Sequence, residues 1–73
     1  MKLTEIARDV EGCKNGSCPA VYVGEDASVL VVQGKVLDAA TTAELVGIAD
    51  DELAVAIPRA TLLAAVARLE GRA

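Results

Sequence analysis

Two cysteines carry the most distinctive chemistry in this chain. Cys13 and Cys18 bracket Lys14-Asn15-Gly16-Ser17, and the stretch GCKNGSCP is dense in turn formers. Three chemistries compete for such a pair: metal ligation, dithiol redox and a local staple. A structural zinc site takes four ligands, usually from two C-x2-C knuckles. Here the spacing is C-x4-C and the chain has no histidine. One chain cannot complete that site, but two chains could across a two-fold axis. An inter-subunit zinc through Cys13 and Cys18 is therefore the metal reading, and no metal site within one chain is expected.

A thioredoxin-like dithiol needs C-x-x-C at a helix N-terminus, where the dipole depresses the attacking thiol's pKa. The spacing here is wider, and Pro19 sends the chain into extended structure. A local disulfide fits best sterically. A turn at Asn15-Gly16 can bring the two α-carbons within the roughly 4.4–6.8 Å that a bridge requires. Closing so short a loop is worth about 2 kcal/mol. Two reduced thiols are the competing outcome, because cytosolic glutathione opposes the bond.

The remaining residues argue against turnover. Nucleophilic catalysis needs a nucleophile beside a base. The only serines are Ser17 and Ser28, both in expected turns, and no histidine can serve as base. The glycines are dispersed and form no phosphate loop. Asp50-Asp51-Glu52 and Glu25-Asp26 lack the alternating oxygen ligands of a calcium loop and read as solvated turn charges. Tyr22, the sole aromatic, reads as a strand residue with its ring on a sheet. Gln33 is polar inside the most apolar run, VVQG, and reads as an outward-facing position that could mark a partner edge. No catalytic residue, cofactor-binding residue or cofactor is expected, and the chain is not read as an enzyme.

Charge narrows the partners. The net charge is −4, with seven Lys and Arg scattered among eleven acids. Nucleic-acid binding needs clustered cations to displace condensed counterions, so direct contact with DNA or RNA is not expected. An anionic membrane surface is disfavoured for the same reason. No apolar run reaches the roughly 18 residues of a membrane span. The start MKLTEIARDVEG has no apolar core of a signal peptide, so the expected location is cytoplasmic.

These residues must be positioned by a single small domain, 1–73. The apolar fraction of 53% excludes a disordered tail. Leu3, Ile6, Ala7 and Val10 fall at i, i+3, i+4 and i+7, which predicts an N-terminal helix ended by Gly12. Residues 20–23 and 29–37 predict two strands joined at 24–28, with Gly34 marking a bulge. Thr41 and Glu44 fit a capping box that opens one helical turn at 42–46. Residues 53–58 alternate as a third strand. Pro58 then starts a helix with a Leu62, Val66 and Leu69 stripe flanked by Leu63 and Ala65, with Thr61, Ala64 and Arg68 opposite. Gly71 ends it.

The expected fold is α+β: a small three-stranded antiparallel sheet, with the long 29–37 strand central and the N- and C-terminal helices packed on one face. The other face would expose an apolar patch drawn from Val21, Val23, Val29 and Val31. With Gln33, these are the interaction candidates.

The segments CKNGSCPAVY, VLVVQGKV and ELAVAIP, with the Leu62-Leu63 that follows, resemble small uncharacterised proteins of high-GC actinobacteria. Those share a C-x4-CP-x-VY, V-V-Q-G and E-x-A-V-x-I-P pattern, and the likeness covers Cys13 to Leu63. Such proteins are often encoded beside helix-turn-helix regulators. The resemblance implies an accessory or regulatory role and no known activity. Lys35 departs from the pattern, and no site residue is carried over.

The expected function is a non-enzymatic protein-interaction or accessory regulatory module that binds a protein partner, such as a transcriptional regulator, or forms a homodimer. The alternative is a redox- or metal-responsive protein using Cys13 and Cys18.

Overall fold

The computed structural model of the chain describes residues 1–9 and 18–71. Val10, Gly12, Cys13 and the Asn15-Gly16 turn lie outside the described residues. Three strands, β1 (Leu3–Arg8), β2 (Ala20–Gly24) and β3 (Leu30–Gln33), form an antiparallel sheet in the order β1-β2-β3. Its centre is β2, not the 29–37 segment. Among the described residues the hydrophobic core is Cys18, Ala20, Val21 and Ala65.

The expected N-terminal helix is a strand. Its apolar residues match a helical period, but so short a helix has little stability of its own. Pairing with β2 satisfies the backbone instead, with Glu5 opposite Tyr22, Ala7 opposite Val21 and Arg8 opposite Ala20. The register shifts between Glu5 and Ala7, so Ile6 is the extra residue of a bulge. In a regular strand Glu5 and Arg8 would point to opposite faces. The bulge returns both to the face shared by Tyr22 and Ala20.

The β2–β3 hairpin forms as expected. Its loop is closed by Asp26, whose Oδ1 accepts from the Ser28 amide at 3.0 Å and whose carbonyl accepts from Val29 N–H at 3.0 Å. The long strand divides at Gly34. β4 (Lys35–Val36) pairs with β5 (Val55–Ala56) in a separate two-stranded sheet, so the 53–58 strand does not join the main sheet. A Cβ on Gly34 would lie 2.5 Å from the Ala56 carbonyl oxygen and 2.7 Å from Ile57 Cγ2. Glycine is needed there because β5 crosses directly over it.

Between them α1 (Ala39–Thr42) is capped by Asp38 and not by Thr41. Asp38 Oδ1 accepts from Thr41 N–H at 2.7 Å. The helical turn therefore begins three residues earlier than the capping-box reading placed it.

The last helix, α2 (Arg59–Leu69), follows Pro58, and Gly71 ends it with φ +76°. It packs mainly against β1 and β2. Its buried residues are Thr61 and Ala65, while Leu62, Leu63, Val66 and Leu69 are exposed. The expected core stripe is thus the outward one. Small side chains at Thr61 and Ala65 let the helix axis approach the sheet closely, which bulky leucines would prevent.

Candidate functional site

On the face shared by Glu5, Arg8, Tyr22 and Gln33, a closed ring of hydrogen bonds spans all three strands. Arg8 Nη2 donates to Tyr22 Oη at 2.8 Å. Tyr22 Oη donates to Gln33 Oε1 at 3.3 Å. Gln33 Nε2 donates to the Cys18 carbonyl at 2.8 Å, and Arg8 Nη1 reaches that same oxygen at 3.5 Å. Glu5 Oε1 accepts from Arg8 Nε at 2.8 Å. This carboxylate holds the Arg8 guanidinium pKa above its ordinary value, with the partial desolvation of Arg8 opposing. Ala20 is the register partner of both Arg8 and Gln33, and it is fully buried. Its small side chain leaves room for the two long ones to reach Cys18.

Cys18 is disulfide-bonded. The chain's other cysteine, Cys13, lies outside the described residues. In this state Cys18 offers no thiolate to a metal or to a redox substrate. Beside it, Cys18, Pro19, Gln33, Gly34, Lys35 and Val36 line a cleft of about 250 Å³. The ring joins a charge, a phenol and an amide to the disulfide-bearing residue. Each member is engaged with another, so the arrangement clamps the strands together.

The expected interaction candidates do not share one face. Val21 stands opposite Val32 and Tyr22 opposite Val31, so Val21 and Val31 point to opposite sides. Val21 is fully buried and leaves the candidate surface; Val23 and Val31 are half-buried, and Val29 and Gln33 are exposed.

The larger apolar surface lies elsewhere. None of residues 25–60 is buried. Val46 is 98% exposed, Leu53 92% and Val36 88%. Around Val46 and Leu53, the side chains of Leu45, Ile48, Glu52 and Ala54 complete an open concavity of about 380 Å³. The hydropathy pattern held this signal, since ELVGIADDELAVAIP sets two apolar runs around Asp50-Asp51-Glu52 and is too short to enclose a core of its own.

Comparison with known proteins gives no match. No family model, no curated protein and no solved structure matches the chain. Among the described residues no helix is long and apolar enough to cross a membrane.

Proposed function

We propose that this chain is a non-enzymatic interaction module whose apolar surface is completed by another protein. One observation carries the reading. A folded monomer of 7.5 kDa exposes about 4,200 Å² by the scaling of surface with mass, whereas this chain exposes 5,612 Å². Its radius of gyration is 13.4 Å, against about 11 Å for a compact domain of this length. The extra surface is rich in aliphatic side chains, and large exposed apolar patches serve as interaction sites.

The partner class is a regulatory protein. A net charge of −4 complements a basic surface such as that of a DNA-binding regulator. Affinity capture tests this, with the wild-type chain and a Val46→Lys/Leu53→Lys variant as parallel baits in native lysate. A specific protein held by the wild type and lost by the variant is expected. Equal capture by both, or capture by neither, overturns the reading.

A redox-responsive role is the second reading. It is favoured by the position of Cys18, whose carbonyl is held by Gln33 one residue before the Gly34 crossing. Opening the disulfide would loosen the junction between the main sheet and the β4–β5 sheet. Comparing capture with and without reductant tests it, and identical capture would remove it.

A further inference from the structure

We propose that the outer edge of β3 is a self-association site, where two copies of this chain pair β3 against β3 antiparallel and join their sheets into one. This contact is separate from the surface at Val46 and Leu53 and does not depend on it.

The hydrogen-bond phase of β3 leads to it. Gly24 N–H donates to the Val29 carbonyl at 3.0 Å, so Gly24 and Val29 face each other as a bonded pair. In an antiparallel ladder such pairs recur at every second residue. Val31 and Gln33 therefore turn their backbone groups toward Tyr22 and Ala20, while Leu30 and Val32 turn theirs away from β2. β3 ends the sheet order, and among the described residues nothing bonds those outward N–H and C=O groups. The side chains of Leu30 and Val32 are 45% and 41% exposed as well. An apolar edge with a free row of donors and acceptors is a template for another strand.

The opposite edge is guarded. β1 carries Glu5, Arg8 and the Ile6 bulge, and α2 packs against it. Charges, bulges and cover are the usual defences of an edge strand. In β3 the register on β2 is regular, and no charged residue or proline lies between Ser28 and Gly34.

Symmetry names the occupant. Outward groups at Leu30 and Val32, with an inward Val31 between them, are self-complementary about a two-fold axis at Val31. Leu30 of each copy then exchanges both backbone hydrogen bonds with Val32 of the other, and the two Val31 residues meet as the close, unbonded pair. The cross-strand contacts are aliphatic throughout. Moving the axis to Leu30 would set Val32 against Ser28, whose N–H is already held by Asp26 Oδ1. Moving it to Val32 would set Leu30 against Gly34, where β5 crosses. The Val31 axis also carries Lys35 toward the Glu25-Asp26 turn of the second copy. Among the described residues Lys35 makes no ion pair within its own chain, so opposite charges meet at both ends of the paired strands.

Amide hydrogen exchange on the wild-type chain over a concentration series is the first test. The Leu30 and Val32 amides should be open in dilute solution and gain protection as concentration rises. Val31 and Gln33, bonded to β2, should stay protected throughout. Isotope-filtered NOE spectra of mixed labelled and unlabelled chains should show the Val31 α-protons of two copies in contact. Sedimentation equilibrium should move from the 7.5 kDa chain mass toward twice that value.

Leu30→Lys and Val32→Glu add a second readout. Both side chains are exposed in the single chain, so far-UV circular dichroism at low concentration is expected to be unchanged. Each variant alone should weaken self-association about 10-fold or more. Their equimolar mixture should recover it, because one cross-strand contact then sets Lys against Glu and the other is wild type. A wild type that stays single at millimolar concentration overturns the proposal, including one whose β3 edge is engaged only by a different protein. So do Leu30 and Val32 amides already protected in dilute solution, which would mean that the chain covers this edge itself. A dimer that gains protection outside β3 alone, or that both variants leave intact, overturns it as well.

Discussion

The Gln33 side chain donates to the carbonyl oxygen of Cys18 at 2.8 Å, so the end of β3 is tied to the residue that carries the disulfide. The same Gln33 accepts from Tyr22, and Tyr22 accepts from Arg8. Three strands that share little apolar volume are thereby fastened by polar side chains. In a sheet whose core is mainly Ala20 and Val21, such bonds carry a larger share of the stability than they would beneath aromatic packing.

Removing the clamp should therefore be costly for so exposed a set of residues. Gln33→Ala is expected to destabilise the chain by about 1–2 kcal/mol, since it strips a partner from both Cys18 and Tyr22. Tyr22→Phe should cost about 1 kcal/mol. The double variant should lose less than the two added together, because the residues are coupled. Urea denaturation followed by far-UV circular dichroism reads all three, and strict additivity would contradict a shared ring.

The disulfide makes a separable prediction. With Cys13 as the partner of Cys18, reduction should add two hydrogens to the intact mass and lower stability by about 2 kcal/mol, the worth of a short closed loop. A chain of this size should then melt roughly 8–16 °C lower. An intact mass that reductant does not change would exclude the intramolecular bridge.

The sequence made the β2–β3 hairpin and α2 legible because their signals are local: turn formers at 24–28, Pro58 before the helix and Gly71 after it. The first strand was not legible, because Leu3, Ile6 and Ala7 match a helical period and the Ile6 bulge breaks the alternation that would identify a strand. The buried side of α2 does not follow its bulky residues, since the small Thr61 and Ala65 are the ones that face the sheet. Gln33 stood out as a polar residue in an apolar strand. Glu5 and Arg8 could not be joined to it until the bulge put them on its face. The separate β4–β5 sheet was not legible, because the alternation of 53–58 suits a third strand of the main sheet equally well and only Gly34 marks the close crossing.

Gly34 yields a prediction on that crossing. In Gly34→Ala the new methyl would sit 2.5 Å from the Ala56 carbonyl oxygen and 3.0 Å from Val55 Cγ2, so β5 must move away. Overpacking of this kind costs about 1–3 kcal/mol. The loss should appear as faster amide exchange in β4 and β5 with β1 and β2 little changed. A wild-type exchange pattern across Lys35, Val36, Val55 and Ala56 would show that the two strands have room to spare.

The acid limb of the stability curve follows from two turns. Hydrogen bonds from the Thr41 side chain and amide hold the Asp38 pKa below its ordinary value, and those from the Ser28 amide and side chain do the same for Asp26. A carboxylate whose folded pKa is depressed stabilises the fold above its unfolded pKa of about 3.9, and that support is lost as pH falls through the folded value. The α1 cap and the β2–β3 loop should therefore loosen as pH falls below the unfolded value and through the depressed folded one. The Thr41 amide resonance is the direct probe, since its proton is bonded to Asp38 Oδ1 at 2.7 Å. Asp38→Asn keeps an acceptor oxygen but cannot titrate, so its Thr41 resonance should stay put where the wild type moves. Equal movement in both proteins would place the acid-sensitive group elsewhere in the chain.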